Sequence, residues 1–305
     1  LRHQPDDPGV PGRSARLPGR EQLMQIQQAR AHIMATLAGG ESPRADADAL
    51  LCHLLECRRS YLMTWPEREL DAAQQATLQG WLERRLNGEP IAHLIGEREF
   101  WSLPLKVNPA TLIPRPDTEV LVEQALARLP AGPCAVLDLG TGTGAIALAL
   151  KSERPDADVW AVDRMPAAAA LARANSAALG LPIEVRDGSW FEPLVAPSSS
   201  KAPRFAMIVS NPPYIDGADP HLDEGDVRFE PRSALVADEQ GLADIRLIVA
   251  GAPAHLLPGG WLLLEHGWQQ GEAVRQLLLQ QGYLQVETVR DYGDNERVTL
   301  GRLAR

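Results

Sequence analysis

Three glycines in one short loop could bring the backbone close to a ligand. The stretch AVLDLGTGTGAIALAL has the pattern of a buried strand, a glycine-rich loop and the start of a helix. Gly140, Gly142 and Gly144 are spaced G-x-G-x-G, which differs from the G-x-G-x-x-G of dinucleotide-binding loops, and no lysine follows as in a phosphate-binding P-loop. Glycine permits a sharp turn and a close approach of backbone amides. The loop therefore favours a ligand that has a carboxylate but no phosphate, and we include Thr141 and Thr143 in this predicted site.

Acidic residues near the ends of three strand-like runs could hold the rest of such a ligand. Asp138 lies just before the glycine loop and could hold an ammonium group. Asp163 ends the next run, VWAVD, where an acidic residue typically binds ribose hydroxyls; a cap on the following helix is the alternative role, and the two are compatible. Asp187 and Trp190 follow the third run and could accept from an amino group and stack on a purine, although each alone is more often a cap or a packed aromatic. Together these residues predict a pocket for an amino acid, a ribose and an adenine, which are the parts of S-adenosylmethionine.

A second reactive stretch is MIVSNPPYI, in which a strand-like run ends at an asparagine, two prolines and a tyrosine. Asn211 Oδ1 and the Pro212 carbonyl could each accept one N–H of a planar NH₂ group, which would hold its nitrogen in line with a methyl group beside Asn211. Pro212 and Pro213 lack an N–H and keep the corner rigid, and Tyr214 could stack on the planar group. An incidental turn is the alternative, but the position after a fourth strand favours methyl transfer. We predict Asn211, Pro212 and Tyr214 as catalytic and all four residues as substrate-binding.

Both stretches lie in a segment in which strand-like and helix-like runs alternate. Asp117 or Thr118 is expected to cap the first helix, and helical patterns at 145–151 and 166–179 separate the earlier strands. Such alternation is typical of parallel sheets with crossover helices. The sequence therefore predicts an α/β fold with a seven-stranded, doubly wound, Rossmann-like sheet in a methyltransferase domain at 117–305. The predicted strands are Ala135–Leu139, Val159–Val162, Ile183–Val185, Phe205–Ser210, Trp261–Glu265, Gln285–Val289 and Arg297–Leu300.

The preceding part of the chain has a different pattern. Residues 21–88 carry helical stripes of apolar residues and predict a small helical bundle domain, which ends at Asn87-Gly88. Residues 89–116 alternate and are interrupted by prolines, which favours a β-hairpin that links the two domains. Residues 1–20 are rich in proline, glycine and charge and lack the apolar core of a signal peptide, so we expect a disordered extension there.

Composition restricts the partners and the compartment. The 305 residues carry a formal net charge of -10, so a chain-wide attraction to nucleic acid or to an anionic membrane is not expected. No apolar run approaches the ~20 residues that a membrane span needs. Cys52, Cys57 and Cys134 lack metal-ligand spacing. We predict reduced thiols and no metal site in a cytoplasmic, monomeric protein.

The motifs together resemble the HemK/PrmC family, the N5-glutamine methyltransferases of class I peptide-chain release factors. The (D/N)PPY signature is that of S-adenosylmethionine-dependent methyltransferases that act on planar NH₂ groups. The resemblance covers roughly residues 21–305, whereas the first 20 residues fall outside it and Arg232-Ser233 stands where less polar residues are expected. The stretches that carry it are LIPRPDTE, DLGTGTGAIALAL, DGSWF, NPPYI and LLLEHGWQQG.

The resemblance implies roles for particular residues. It implies that Gly140–Gly144, Asp163, Trp190 and Asn211 bind S-adenosylmethionine, and that Asn211-Pro212-Pro213-Tyr214 holds the glutamine of a release factor's Gly-Gly-Gln loop. It also implies a sheet whose last strand runs antiparallel and a helical N-terminal domain that helps to dock the release factor.

Two other functions are compatible with parts of this pattern. A nucleic-acid amino-methyltransferase acting on adenine N6 or guanine N2 could use the same corner, but such enzymes usually need a basic recognition surface and a flipped base. The stretch DGADPHLDEGDVRFE after the motif has six acidic residues against one arginine, which favours a protein substrate. A module that binds S-adenosylmethionine without catalysis is the second alternative, and the intact NPPY motif argues against it.

Overall fold

The computed structural model describes residues 23–194 and 204–304 of the chain. The chain divides into two compact units, residues 1–86 and 87–305. The predicted disordered extension at 1–20 lies outside the described residues. Within the described ranges, no helix is both long enough and apolar enough to cross a membrane.

The first unit is helical, as predicted. Its helices are α1 (Ile26–Thr36), α2 (Pro43–Leu54), α3 (Arg59–Thr64) and α4 (Ala72–Leu86). The apolar stripes face inward, and Leu50 and Leu82 are buried. Buried Asp48 in α2 is balanced by Arg30 and Arg59 at 2.6 and 2.8 Å. The short α3 was not predicted, because one turn and a half of helix is too little to show an apolar period.

The second unit begins with a short helix and the predicted hairpin. These elements are α5 (Ile91–Ile95), β1 (Glu97–Phe100) and β2 (Leu103–Lys106). β1 and β2 pair antiparallel, and their connection, Trp101-Ser102, has φ values of 51° and 59°. Left-handed φ at both turn positions matches the right-handed twist of the flanking strands. The helix α5 was not predicted, because its five residues lie between Pro90 and Gly96 in a segment that alternates.

A seven-stranded sheet forms the centre of the second unit, which confirms the predicted fold. The strands after the hairpin are β3 (Ala135–Leu139), β4 (Asp158–Asp163), β5 (Glu184–Asp187), β6 (Phe205–Ser210), β7 (Ile215–Asp216), β8 (Val236–Ala237), β9 (Leu256–Glu265), β10 (Leu284–Arg290) and β11 (Glu296–Arg302). The sheet has the order β10-β11-β9-β6-β3-β4-β5, and β7 and β8 pair separately. β11 is antiparallel to both of its neighbours, whereas the pairs from β9 to β5 are parallel. The antiparallel last strand agrees with the resemblance.

Helices cover both faces of this sheet. They are α6 (Glu119–Leu126), α7 (Ala145–Glu153), α8 (Pro166–Leu179), α11 (Ala243–Gly251) and α12 (Gly271–Gln280). The short helices α9 (Arg232–Leu235) and α10 (Asp238–Gly241) lie against the β7–β8 pair. Val136 packs with residues of α6, α7 and α8, whereas its neighbour Leu137 packs with residues of α11 and α12. Side chains alternate between the two faces of a strand. Because helices cover both faces of the sheet, every residue of β6 is buried. This explains the continuous apolar runs in the sequence.

The register of the sheet brings the predicted site residues to one edge. Leu139, at the end of β3, is level with Ser210 of β6 on one side and Val162 of β4 on the other. Asp163 of β4 is level with Asp187 of β5. The glycine loop, Asp163 and the Asn-Pro-Pro-Tyr corner (residues 211–214) therefore all begin at the carboxyl edge of adjacent parallel strands.

Candidate active site

A pocket opens at the carboxyl ends of β3, β4 and β6, which is where open α/β sheets bind ligands. It has a volume of about 900 Å³, open solvent included. The predicted residues in its lining are Gly140, Thr141, Gly142, Thr143, Asp163, Trp190, Asn211 and Pro213. Other predicted residues lie next to the pocket without lining it, and these are Asp138, Gly144, Asp187, Pro212 and Tyr214.

The glycine loop has a left-handed backbone conformation, and a buried aspartate supports it. Gly140, Gly142 and Gly144 have φ values of 68°, 58° and 85°, a region that side chains rarely adopt. Asp138 is fully buried under the loop, and its Oδ2 accepts a hydrogen bond from Thr141 Oγ1 at 2.7 Å. Asp138 Oδ1 has no hydrogen-bond partner within the described ranges. Burial raises the pKa of Asp138 to about 7, although the Thr141 hydroxyl lowers it.

Asp163 joins the glycine loop to the next helix. Its Oδ2 accepts from the Gly142 amide and its Oδ1 from the Met165 amide, both at 2.9 Å. Burial raises the pKa of Asp163, and the two amides lower it. The N-cap residue of α8 is Met165, and no side chain caps the helix there. The Asp163 carboxylate instead fixes the backbone at Met165 and lines the pocket.

The two residues predicted after the third strand take different positions. Trp190 lines the pocket beside Gly140, where a Cβ on the glycine would lie 3.5 Å from the indole ring. Its φ of 45° is in the left-handed region, which is uncommon for a bulky residue. Asp187 instead forms an ion pair with Arg173 at 2.5 Å, with 45% of its side chain exposed. The structure therefore brings Trp190, but not the carboxylate of Asp187, into the pocket wall.

The Asn-Pro-Pro-Tyr corner is held by residues from other parts of the chain. Asn211 Nδ2 donates to Thr118 Oγ1 at 3.4 Å, and both residues line the pocket. Tyr214 Oη donates to Glu265 Oε1 at 3.3 Å, and the Tyr214 carbonyl accepts from Gln270 Nε2 at 2.9 Å. Asn211 Oδ1 accepts no hydrogen bond from the described residues. The corner thus keeps one side-chain acceptor available at the pocket.

A buried carboxylate lies behind this corner. Glu265 ends β9, is 2% exposed, and has no hydrogen-bond partner for its Oε2 in the described part of the chain. Burial raises the pKa of Glu265 to about 7, against the lowering effects of the Thr118 hydroxyl and Arg297. Burial also raises the pKa of Tyr214, and the negative charge of Glu265 adds to this.

An ion pair joins two distant segments of the chain beside the pocket. Glu230 has a fully buried side chain, forms an ion pair with Arg115, and accepts from the Ile113 amide at 2.8 Å. Burial raises the pKa of Glu230 and Arg115 lowers it.

Ser233, from the segment where the sequence departs from the family pattern, lines the pocket, and its carbonyl accepts from Arg164 at 2.9 Å. The polar residue that departs from the family pattern here is therefore part of the pocket wall.

Several residues of the site were not predicted from the sequence. Thr118 was considered only as a helix cap, and Glu265 and Glu230 were not considered as site residues. Their partners lie 51 to 117 positions away along the chain, so no local spacing indicates them. For Thr118 and Glu265, the available signal was their presence in stretches that carry the family resemblance, LIPRPDTE and LLLEHGWQQG, whereas Glu230 lies in neither.

The pocket suits a ligand with amino-acid, ribose and purine parts. Thr111 Oγ1 is buried in the lining and has no hydrogen-bond partner among the described residues, so a polar group is available for a ligand. Asp163 adds acceptors and Trp190 adds an aromatic surface, while Ile146 and Met165 provide apolar wall. Arg115 and Arg164 also line the pocket.

Comparison with family models and curated proteins identifies relatives of this chain. Residues 28–96 match the PrmC N-terminal domain, and residues 116–226 match the methyltransferase small domain. The release factor glutamine methyltransferase of Escherichia coli (strain K12) is 58% identical over 280 residues, which cover 92% of this chain and 99% of that protein. The protein of the same name from Pseudomonas aeruginosa is 56% identical and covers 88% of this chain and 95% of its own length.

Solved structures show the same fold at much lower identity. A methyltransferase from Pyrococcus furiosus has a TM-score of 0.52 and 18% identity, and it covers 74% of this chain and 100% of its own. The 16S rRNA N2 G1207 methyltransferase of T. thermophilus has a TM-score of 0.51 and 22% identity, and it covers 68% of this chain and 49% of its own. These two likenesses concern the fold alone. The curated relatives, more than half identical over nearly the whole chain, show that this chain belongs to the family of release factor glutamine methyltransferases.

Proposed function

We propose that this protein transfers a methyl group from S-adenosylmethionine to the side-chain amide N5 of the glutamine in the Gly-Gly-Gln loop of class I peptide-chain release factors. The observation that carries the proposal is the Asn-Pro-Pro-Tyr corner at the pocket, where Asn211 Oδ1 is available while Nδ2 is engaged by Thr118. The names of its relatives, release factor glutamine methyltransferases, supply the substrate.

The cofactor is S-adenosylmethionine, which supplies an electrophilic methyl group when it is bound. Asp163 would accept hydrogen bonds from the ribose hydroxyls, and Trp190 would contact the adenine. The amides of Gly140, Thr141, Gly142 and Gly144 and the Thr141 hydroxyl already donate within the protein. The Thr143 amide and hydroxyl would therefore donate to the carboxylate, while the other residues of the loop remain predicted contacts of the cofactor. Asp138 and Asp187 remain predicted contacts of the amino groups, although neither lines the pocket.

The corner residues orient the substrate amide. An amide nitrogen is a poor nucleophile because its lone pair is delocalised, so it must be held in one direction while it reacts. Asn211 Oδ1 and the Pro212 carbonyl each accept one N–H of the glutamine, and the two prolines keep these acceptors rigid. Tyr214 stacks on the planar amide. Preorganised acceptors of this kind act mainly in the transition state.

The helical region supplies recognition in this proposal. One glutamine amide offers too few contacts to exclude the other glutamines of the cell, so binding energy must come from a second surface. We assign docking of the release factor to the helical domain at 21–88, linkage to the hairpin at 89–116, and chemistry to residues 117–305. Deleting residues 1–86, the first compact unit, should preserve S-adenosylmethionine binding and strongly reduce methylation through weaker substrate binding.

A nucleic-acid base is the competing substrate. The acidic stretch after the corner opposes it, because it contains six acidic residues and one arginine, although Glu230 among them is buried in its pair with Arg115. A nucleic-acid substrate also predicts an affinity that falls steeply with salt, because each neutralised phosphate releases counterions.

We infer a monomeric, cytoplasmic enzyme without direct nucleic-acid or membrane contacts. Light scattering and cell fractionation test the oligomeric state and compartment.

The deciding experiment offers several substrates in parallel. Methyl-labelled S-adenosylmethionine is incubated with the protein and, in separate reactions, a class I release factor, its Gln→Ala version in the Gly-Gly-Gln loop, DNA and rRNA. Label should enter only the release factor that has the glutamine, and mass spectrometry should place it on that residue. Label in nucleic acid, or equal label in the Gln→Ala protein, contradicts the proposal.

A further inference from the structure

The carboxylate of Glu265 lies behind the corner and accepts from the hydroxyl of Tyr214, at one end of it. Tyr214 Oη donates to Glu265 Oε1 at 3.3 Å, and Oε2 has no hydrogen-bond partner at ordinary geometry within the described ranges. Glu265 directly follows Leu264, which is level with Ser210, and Ser210 directly precedes Asn211. Glu265 is 2% exposed and does not line the pocket. A buried acceptor in this position requires a donor.

The Thr118 hydroxyl, which is bonded to Asn211, has a proton that could meet this requirement. A threonine hydroxyl has one proton to donate and two lone pairs that accept. Its oxygen accepts from Asn211 Nδ2 at 3.4 Å, so its single proton needs a different partner. Thr118 is 5% exposed and lines the pocket, so the acceptors open to its proton are the buried Glu265 carboxylate and water in the pocket. Glu265 follows the residue that is level with Ser210, so its strand position is beside Asn211, to which Thr118 is bonded. Burial raises the pKa of Glu265 and the Thr118 hydroxyl lowers it.

The direction of these hydrogen bonds determines which end of the Asn211 amide faces the pocket. As pH rises above ~7 the Glu265 carboxyl becomes ionised and can only accept, so it then fixes the Thr118 proton toward itself. The Thr118 oxygen can then only accept from the asparagine, and this requires Nδ2 on that side and Oδ1 on the other. A flipped amide would present an NH₂ group to the substrate NH₂ group, and two donors cannot pair.

We propose that Glu265 is a positioning residue that, through Thr118, holds Asn211 with its Oδ1 toward the substrate amide and, through Tyr214, holds the aromatic ring of the corner. This inference rests on the proposed function, because it concerns the alignment of the substrate NH₂ group. Glu265 does not act as a base in this arrangement. Its contacts are Thr118 and Tyr214, and the other charged groups that affect it are Arg297 and Asp117.

The principal test is the isosteric variant Glu265→Gln. A glutamine at this position still accepts from Tyr214, but its NH₂ group can donate to Thr118, which frees the threonine proton for a flipped Asn211. Since both amide orientations become possible, we expect kcat for the release factor to fall roughly tenfold, less than the ~10²–10³ for loss of a whole preorganised contact. KM and the calorimetric affinity for S-adenosylmethionine should change little, because the defect concerns the transition state.

Thr118 variants test the proposed route. Thr118→Val removes the hydroxyl at nearly constant volume and should lower kcat at least as much as Glu265→Gln, whereas Thr118→Ser restores the hydroxyl and should restore kcat. Thr299→Val is the matched control. Thr299 is also a fully buried threonine, but its hydroxyl bonds His266 and Thr288 away from the pocket, so its removal should leave kcat unchanged.

A double-mutant cycle separates positioning from general destabilisation. If Glu265 acts through Thr118, the variant with both Glu265→Gln and Thr118→Val should have the kcat of Thr118→Val alone. The effect of Glu265→Gln requires the Thr118 hydroxyl, which Thr118→Val has already removed. Independent losses that multiply would overturn the inference, as would wild-type kcat in a folded Glu265→Gln protein. If Glu265→Gln does not fold, the Thr118→Val and Thr118→Ser pair decides, and equal kcat in the two overturns it. Failure of the unaltered enzyme to methylate a release factor would instead contradict the proposed function.

Discussion

The glycine loop and the Asn-Pro-Pro-Tyr corner occupy equivalent positions but are built in opposite ways. They follow the adjacent parallel strands β3 and β6, which are paired from Val136 to Leu139. In the loop, three left-handed glycines shape the backbone, and the amides of Gly140, Thr141, Gly142 and Gly144 donate to acceptors within the protein. The corner offers the side-chain and carbonyl acceptors of Asn211 and Pro212, which prolines make rigid. The loop is therefore held by its own backbone donors, whereas the corner keeps acceptors for a ligand.

Each of these two regions has a buried carboxylate beneath it, and the origin of that carboxylate is the main difference. Asp138 lies three residues from its partner Thr141, within the same stretch of sequence. Glu265 lies 51 residues from its partner Tyr214, on the strand next to β6. Burial raises the pKa of each carboxylate to about 7. The loop is thus supported locally, whereas the corner depends on the assembled sheet.

The largest expected effect concerns chemistry at the corner. Asn211→Ala should lower kcat by on the order of 10²–10³, because it removes a preorganised contact that acts mostly in the transition state. Cofactor affinity should fall far less. Asn211→Asp still accepts an N–H and should keep more activity than the alanine variant. Steady-state kinetics with a release factor and calorimetry with S-adenosylmethionine measure both quantities, and a near wild-type rate for Asn211→Ala would refute the alignment role.

The next effect concerns the pH dependence of stability beneath the corner. The pKa of Glu265 is about 7 in the folded protein, above its ordinary 4.5, so the folded state binds more protons between these values. Its contribution to stability is therefore full below pH ~4.5 and is lost as pH rises through ~7, by on the order of 3 kcal/mol. Glu265→Gln cannot titrate, so its free energy of unfolding should decline less between pH 5 and 8.

Urea denaturation of both proteins at several pH values measures this difference. Glu99→Gln, at an exposed position of β1, serves as the control and should behave as the wild type does. Parallel pH curves for the wild type and Glu265→Gln would show that Glu265 does not titrate in this range.

A smaller effect concerns cofactor binding beside the glycine loop. Asp163→Ala removes a charged acceptor from the pocket, and hydrogen bonds to charged groups contribute about 1.5–3 kcal/mol, so affinity for S-adenosylmethionine should fall by roughly 10- to 150-fold. Asp187→Ala is the matched comparison, because Asp187 is level with Asp163 in the sheet but pairs with Arg173. Its effect should be smaller. If calorimetry shows equal losses of affinity for the two variants, Asp187 also contacts the cofactor.

The smallest effect separates backbone strain from ligand contact in the loop. Gly142 and Gly225 have φ values of 58° and 52°, and an added Cβ would have room at both. Substituting alanine at either should therefore cost a similar ~1–2 kcal/mol of stability, from the left-handed conformation alone. Only Gly142→Ala should also weaken S-adenosylmethionine binding. If both variants bind the cofactor equally well, the Gly142 backbone is not part of the site.

Much of this molecule could be predicted from its sequence, because the relevant forces act between neighbours in the chain. The apolar runs of β3, β4 and β6 predict strands buried on both faces, and the helical pattern at 166–179 corresponds to α8 at Pro166–Leu179. Short elements such as α3 and α5 were missed, since five or six residues show no reliable period. The glycine spacing and the Asn-Pro-Pro-Tyr corner were likewise evident, because each is one continuous stretch.

The support of the site was decided only by the tertiary structure. Hydrogen bonds from Tyr214 to Glu265 and from Asn211 to Thr118 join residues that lie 51 and 93 positions apart, and the Arg115–Glu230 pair spans a similar separation. Such partners carry no periodic or local signal. Asp187 shows the converse, because its position in the sequence suited a ligand contact while its carboxylate pairs with Arg173. The sequence by itself determined which groups could react, and the packed sheet determined which groups hold them, because a buried polar atom takes whichever partner the fold brings within reach.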